Sequence, residues 1–450
     1  MTVEDVKNIS FDELIAQGDF DCVCGKRHAG GVKHVFVEDG AVLRLPELNR
    51  EAGAKRPFVL SGHDTFAAAG DRVIRVLEEA GIPYSSYIFP VSPVKPTEFT
   101  VGSAVMHYDL KCDMIIAIGS GVINDTGKML AAMTGHKYII VATAPSMDGF
   151  SSATSSMDRD DLKVTLDSTF AWAIVGDLDV LANAPMRMLQ AGVGDMLAKY
   201  VSIAEWKLGR LLVDEYYCPV VAALVDKALD KVVKAAPELI KRDKEAVKAV
   251  MEGMTIAGMA MTYAGLSRPA SGMEHYFSHI IDMRALAFPE AACDLHGTQV
   301  GVATLYSLRA YEYLKQVTPD REKALAFIAG FDLEDWYRQL EAFIGKGAEA
   351  MVTRDRTEKK YDAEKHKKRL DRIIDSWEEI QAIIAGLPSA DTVLQVLQSI
   401  GAPDTAECFG YSREQIKTIF TMTKDMRDKY VGTRLLWDLG LLDEAKEHIF

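Results

Sequence analysis

The chain is short of most features that would place it outside the cell, in a membrane or on a polyanion. Six cysteines are scattered over 450 residues, too dispersed for a disulfide framework. Basic residues are outnumbered, 51 Lys and Arg against 65 Asp and Glu, for a formal net charge of −14. That balance argues against a nucleic-acid partner, which usually calls for a basic face. No apolar run is expected to reach the ~18–20 residues of a membrane helix. The opening Met-Thr-Val-Glu-Asp-Val-Lys has no basic region followed by an apolar stretch, so it does not read as a secretory leader. Internal repeats and low-complexity tracts are missing too, and the expected compartment is the cytoplasm. Histidine is scarce, with ten in all, so any clustering of it is informative.

What is present describes a soluble globular protein: 48% hydrophobic and 26% charged residues. A length of 450 residues exceeds one ordinary core and predicts two or three domains. Residues 1–50 read as a short irregular or β-rich opening segment, with Lys33 to Arg44 alternating around an Asp39-Gly40 turn. From about residue 56, apolar strands alternate with helices. Strands are expected at Pro57-Phe-Val-Leu, Ser86-Tyr-Ile-Phe, Met114-Ile-Ile-Ala-Ile, Tyr138-Ile-Ile-Val-Ala-Thr and Ala173-Ile-Val-Gly-Asp. Helices are expected over Phe66–Ala80 and from the Gly119 loop to Gly135. Near-continuous apolar strands between helices imply a mostly parallel sheet covered on both faces. After about residue 183 amphipathic helical patterns take over. The expected architecture is a Rossmann-like α/β domain over 1–183 and an all-α domain over 184–450. The charged stretch 353–376 reads as a solvated helix face with mixed-sign pairs.

Three of the ten histidines fall within 22 residues: His275, His279 and His296. His275 and His279 are four apart, so one helix face carries both. Asp195, in Ala-Gly-Val-Gly-Asp-Met-Leu-Ala, joins them as a candidate ligand. One carboxylate and two neutral imidazoles leave a tetrahedral ion one open position, the arrangement a catalytic metal uses to polarise a substrate oxygen. The alternative is a set of satisfied core and helix-end histidines. A second group, Cys22-Val-Cys24-Gly-Lys-Arg-His28, offers soft ligands but has no fourth ligand near in sequence. A closed structural zinc site needs four, so a surface hairpin is the expectation there.

Two loops follow strands. Gly119-Ser120-Gly121 opens a helix, where glycines allow close approach of a phosphate and the helix N-terminus presents free N–H groups. It is neither a full Gly-x-Gly-x-x-Gly fingerprint nor a Gly-Lys-Ser/Thr phosphate loop. Thr143-Ala-Pro-Ser146-Met-Asp148-Gly-Phe-Ser151-Ser152 sets small hydroxyls and an aspartate past a strand's carboxyl end, where open α/β sheets bind ligands. The same composition also makes an ordinary turn.

Taken in order, these runs resemble sn-glycerol-1-phosphate dehydrogenases, the bacterial arabinose-operon type above all. The quoted motifs are Ile-Gly-Ser-Gly-Val-Ile-Asn-Asp-Thr-Gly-Lys, Thr-Ala-Pro-Ser-Met-Asp-Gly, Gly-Val-Gly-Asp, Ser-Arg-Pro-Ala-Ser-Gly-Met-Glu-His-Tyr-Phe-Ser-His and His-Gly-Thr-Gln. The wider group contains glycerol dehydrogenase, iron-containing alcohol dehydrogenases and dehydroquinate synthase. The resemblance spans roughly residues 20–310, and the C-terminal Trp437-Asp-Leu-Gly-Leu-Leu is similar as well. It implies metal ligation by Asp195, His275 and His296. It places Gly119, Ser120, Gly121 and Asp125 against the cofactor pyrophosphate and nicotinamide side, with Thr143 and Ser146 beside the nicotinamide ribose. Asp148 and Ser152 would face substrate and cofactor, with His279 near the open metal position. Asp64 would take an adenosine ribose hydroxyl. Lys199 stands where iron-containing alcohol dehydrogenases carry a fourth, histidine ligand, and dehydroquinate synthases use glutamate in place of Asp195. The third glycine of the usual turn is replaced, and the charged 345–385 region is longer than in archaeal relatives.

The resemblance implies reduction of dihydroxyacetone phosphate to sn-glycerol 1-phosphate by NAD(H) or NADP(H). A divalent metal, with zinc first and nickel or iron admissible, acts as a Lewis acid. His279 would shuttle a proton or hold a ligand in place, and Asp148 is the second candidate catalytic group. Lys199 and Arg268 are the candidate donors to a substrate phosphate. The implied partners are a phosphorylated triose and a second copy of the chain as a homodimer. Three alternatives remain: a glycerol or small-polyol dehydrogenase, an NAD-using carbon–oxygen lyase or cyclase, and a non-catalytic sensor. Preference for a phosphorylated substrate separates the first, and net NADH consumption the other two.

Overall fold

A computed structural model describes residues 1–450. The chain forms two compact units that do not follow its order. One comprises Met1–Asp160, Val164–Met196 and Cys218–Leu266; the other comprises Asp161–Lys163, Leu197–Tyr217 and Ser267–Phe450. The change from strands to helices does fall near residue 183, since the last strand ends at Asp177. Compactness groups the chain differently: helices beyond that point join the sheet unit.

The first unit is built on six strands: β1 (His34–Glu38), β2 (Pro57–Gly62), β3 (Ser85–Phe89), β4 (Met114–Gly119), β5 (Lys137–Ala142) and β6 (Ala173–Asp177). They pair in the order β1-β6-β5-β4-β2-β3, and every pairing is parallel. β2 and β4 are buried at all six positions, which is why both read as unbroken apolar runs rather than alternating ones. One face packs on α1 (Asp71–Glu79), where Val59, Ile116 and Val175 meet Val73 and Leu77. From β2 the chain steps outward to β3, then returns across β2 to β4 and β5. That reversal sets the carboxyl ends of β2 and β4, at Gly62 and Gly119, on the switch point where open α/β sheets bind ligands. The helices α2 (Gly121–Thr134), α3 (Met186–Leu197), α5 (Pro219–Ala235) and α6 (Lys244–Ala264) complete this unit, apart from the last residue of α3.

Two local expectations need correction, and one element was not expected. The opening 50 residues hold more helix than strand, in Val3–Asn8, Phe11–Gln17 and the start of Leu45–Ala52. The first two carry capping boxes, Thr2 with Asp5 and Ser10 with Glu13, a local start signal, while the alternation from Lys33 does form the strand β1. No hairpin forms at Asp39-Gly40. β1 runs instead into a short 3-10 helix, Ala41–Arg44, entered through Gly40 at φ +70°. A two-stranded hairpin the sequence reading omitted, Thr154–Arg159 with Leu162–Asp167, turns at Asp160 and Asp161, both at positive φ.

The second unit is helical, with α4 (Lys199–Val213), α7 (Met273–Ala287) and α8 (His296–Leu314) at its centre. The charged stretch near residues 353–376 is only partly a solvated face. Asp355 and His366 are buried, and Arg369 forms a two-pronged pair with Asp438 at 2.8 and 3.0 Å. Asp438 also accepts from Tyr430 Oη at 2.9 Å, which gives the Trp437-Asp438 motif a packing role. The stretch Trp377–Ser399 does reach a mean hydropathy of 1.4, against the expectation that no run was apolar enough for a membrane. It folds as two helices, Trp377–Ala385 and Ala390–Ser399, parted at Gly386-Leu387-Pro388.

Candidate metal and cofactor site

In the sheet unit the two predicted loops lie side by side. Ser120 Oγ and Ser146 Oγ are 2.5 Å apart, and the Thr143 N–H donates to Gly119 O at 3.0 Å. Gly119 is dictated by packing, since a Cβ there would sit 2.5 Å from Ile123 Cβ. Gly121 meets only Met147 at ordinary contact distance. α2 begins without a side-chain cap, so its first N–H groups face the loop with no acceptor from Ser120. The missing third glycine is supplied one turn on. A Cβ at Gly127 would stand 2.7 Å from the Tyr138 ring and 3.0 Å from Ala117, so this residue seats α2 on the sheet. At the end of β2, Ser61 Oγ is buried without a partner, and beside it the exposed Asp64 accepts from Ser92 Oγ at 2.6 Å. An uncapped helix N-terminus and an orphaned hydroxyl across one switch point suit a dinucleotide.

Two predicted cofactor residues are already engaged inside the protein. Asp125 accepts from the Ser156 N–H at 2.9 Å and pairs with Lys128 at 2.9 Å. Ser152 Oγ reaches Gly149 O and Thr154 O, both at 3.2 Å. The centre of this brace is Lys128, fully buried, which donates to Gly149 O at 3.1 Å and to Thr154 O. Sequence reading passed over Lys128, although its i,i+3 spacing from Asp125 was available as a signal.

Asp195 lies in the last turn of α3 and is fully buried. Gly192 lets that helix meet the Thr143 loop, because a Cβ there would fall 2.0 Å from Pro145 O. One turn later Asp195 Oδ2 accepts the Asp148 N–H at 3.0 Å. The same approach recurs on α6, where a Cβ at Gly258 would meet Ser151 Oγ at 2.3 Å and Asp148 O at 2.4 Å.

In the helical unit α7 carries His275 and His279, and α8 opens on His296. The ring centroids of His275 and His296 are 5.0 Å apart, and those of His279 and His296 are 5.8 Å apart. Their tautomers follow from their neighbours. His275 Nδ1 lies 2.9 Å from Glu274 Oε1, an acceptor, so Nδ1 carries the proton and Nε2 keeps its lone pair. Ser278 gives its proton to Gln299 Oε1 at 2.6 Å, so its oxygen accepts from His296 Nδ1 at 3.0 Å. Gln299 is oriented in turn by its Nε2 donating to Asp294 O at 3.2 Å. Both imidazoles therefore offer Nε2, as metal-ligating histidines do when a neighbour holds the other nitrogen. Burial, then the charge of Arg427 and of the other two histidines, holds His279 well below the usual histidine range. Its Nδ1 is buried without a partner.

The two predicted phosphate donors are committed elsewhere. Arg268 grips Glu215 at 2.9 and 2.5 Å and donates to Tyr430 O at 2.9 Å. Lys199 Nζ is buried against Ala270 O at 3.1 Å. Arg268 in particular is a structural clamp: a buried guanidinium needs its counterion, and Glu215 supplies it. Arg427 and Lys163, cations the sequence reading did not select, are the ones whose charge acts on His279.

The iron-containing alcohol dehydrogenase family profile matches residues 36–185. A glycerol-1-phosphate dehydrogenase of Bacillus licheniformis is 28% identical over 94% of this chain and 93% of its own length. One from Geobacillus stearothermophilus is 30% identical over 68% of this chain and 76% of its own. The chain belongs to the glycerol-1-phosphate dehydrogenase family. Another glycerol-1-phosphate dehydrogenase, from Methanothermobacter thermautotrophicus, is 31% identical over 57% of this chain and 71% of its own length. In fold, the chain is similar to glycerol dehydrogenase from Schizosaccharomyces pombe, with a TM-score of 0.59 at 15% identity, covering 93% of this chain and 90% of that one.

Proposed function

We propose that this chain reduces dihydroxyacetone phosphate to sn-glycerol 1-phosphate with NADH or NADPH, using one divalent metal held by Asp195, His275 and His296. The observation that carries the proposal is the locking of both imidazoles with Nε2 presented, combined with membership of the family. Zinc is the first candidate; a mixed nitrogen and oxygen donor set also admits nickel or iron. When bound, the metal supplies Lewis acidity toward the ketone oxygen, and the nicotinamide supplies the hydride.

The residues of the chain do the rest. Asp195 provides the negative charge of the ligand set, and the Asp148 N–H fixes one of its oxygens. The α2 N-terminus, Gly119 to Gly121, takes the cofactor pyrophosphate, with Ser120, Ser146 and Thr143 forming the wall beside it. Asp125 and Ser152 act on the cofactor through the Lys128 brace rather than by direct contact. Asp64 takes an adenosine ribose hydroxyl, beside the unpartnered Ser61 hydroxyl. Asp148 faces the substrate. His279, neutral because its charged form is disfavoured, passes a proton to the C2 oxygen from one ring nitrogen and regains one at the other. Carbon 2 gains the hydride, the oxygen gains the proton, and NAD(P)H is oxidised. Arg427 and Lys163 meet the substrate phosphate, the role first sought in Arg268 and Lys199.

The chain acts as a cytoplasmic homodimer, with Phe99, Met106 and Leu110 exposed on and just after the helix Glu98–Met106 as the apolar surface available for pairing. The test of the function is NAD(P)H oxidation with dihydroxyacetone phosphate against dihydroxyacetone. A clear preference for the phosphate supports the proposal, and equal rates or a preference for the free ketone refutes its substrate assignment.

A further inference from the structure

Three thiols unused by the site above converge on one histidine inside the sheet unit. The hairpin expected at Cys22–His28 does form: Phe20 pairs with His28 and Asp21 with Arg27. The Cys22 N–H donates to Lys26 O at 3.0 Å, the Gly25 N–H donates to Cys22 O at 2.9 Å, and Gly25 at φ +84° closes the turn. The Cys24 N–H reaches Cys22 Sγ at 3.5 Å, which holds the Cys22 sulfur inside the turn. The ligand missing from the local sequence arrives from far along the chain. Cys218 caps the N-terminus of α5, its Sγ taking the Val221 N–H at 3.5 Å.

The four side chains meet at short range. Cys22 Sγ lies 3.6 Å from Cys218 Sγ, Cys24 Sγ 3.4 Å from His28 Nε2, and Cys218 Sγ 3.5 Å from the same nitrogen. All four ligand atoms fall within 4.8 Å of one another, and none of the three cysteines is held in a disulfide. His28 Nδ1 stands 2.6 Å from Tyr263 O, which can only accept, so the proton is on Nδ1 and the Nε2 lone pair faces the sulfurs. This is the same tautomer lock found in the catalytic histidines. The spacings match a coordination sphere. With metal–sulfur distances of about 2.3 Å and metal–nitrogen of about 2.05 Å, tetrahedral edges are about 3.8 Å for S···S and about 3.6 Å for S···N.

We propose that Cys22, Cys24, His28 and Cys218 bind one zinc-class divalent ion in a closed structural site. Four protein ligands leave no open position, so the ion performs no chemistry on substrate. Soft thiolates with one imidazole select zinc over magnesium or calcium. Binding releases the thiol protons to solvent and changes no oxidation state. The result is a cross-link between the N-terminal hairpin and α5, added to the ties Lys227 makes to Val6 O at 2.8 Å and Ile9 O at 2.6 Å.

The test is metal content per chain by mass spectrometry, with cobalt loading, for the whole protein and for Cys24→Ser, Cys218→Ser and Asp195→Asn. Two ions in the parent and one in each variant are expected. The thiolate-to-cobalt charge-transfer band should persist in Asp195→Asn and vanish in Cys24→Ser. Should Cys218→Ser not fold, the cobalt spectra of the parent and of the half-buried Cys24→Ser decide the matter. A parent without the thiolate band, or Cys24→Ser with unchanged metal content and spectrum, overturns the proposal. Loss of the ion in Asp195→Asn reports on the catalytic site alone, so the two readings fail separately.

Discussion

Ser278 holds His296 by accepting from its Nδ1 at 3.0 Å, and can do so only because its own proton is given to Gln299 at 2.6 Å. A hydroxyl and an amide thereby choose which nitrogen of a histidine faces outward. Replacing Ser278 by Ala frees the ring to flip or change tautomer. Metal affinity is expected to fall by about 10–100-fold, the usual effect of removing a partner that orients a ligand. Competition with a chelator measures it, and unchanged affinity would show that Ser278 does not orient His296.

Arg427 and Arg268 should separate cleanly. Arg427→Ala is expected to raise KM for dihydroxyacetone phosphate by about 10–100-fold, as loss of a hydrogen bond to a charged group does, and to leave dihydroxyacetone turnover nearly unchanged. Arg268→Ala should instead lower thermal stability, because Glu215 loses its 2.5 Å partner. Steady-state kinetics with both ketones, beside melting curves, distinguish the two.

Arg369 grips a buried carboxylate, Asp438, that has few other partners. Arg369→Met is expected to cost about 3 kcal/mol, since breaking a buried pair leaves one charge uncompensated. Denaturant unfolding measures it, and a change below 1 kcal/mol, the scale of a surface pair, would contradict a buried role.

Glu205 gives a pH dependence. Burial, and then the nearby Glu274 carboxylate, push it up to about 8. In the unfolded chain it ionises near the ordinary glutamate value of 4.5. Between those values the unfolded state binds fewer protons, so stability falls as pH rises from about 4.5 to about 8 and then levels off. Glu205→Gln should flatten that slope in Tm measured across the range. An unchanged slope would assign the pH dependence to other groups.

Much of this was legible in local sequence. The strands β2 and β4 showed as apolar runs because both of their faces are covered. His275 and His279 showed as a pair because helical pitch fixes their relation. The roles of Arg268, Ser152 and Asp125 were not legible, since each is set by a partner such as Glu215 or Lys128 whose closeness comes from folding. Cys218 is the sharpest case. It lies 190 residues from His28, so the ligand that completes the cysteine cluster had no local signature. The capping boxes at Thr2 and Ser10, by contrast, were written in the sequence.

The most direct test of the central claim is NADH oxidation by metal-loaded and chelated protein, with dihydroxyacetone phosphate and dihydroxyacetone in parallel. The account predicts turnover that disappears on chelation, returns with zinc or nickel, and favours the phosphorylated ketone. Turnover that survives chelation, or no NADH loss with either ketone, would contradict it.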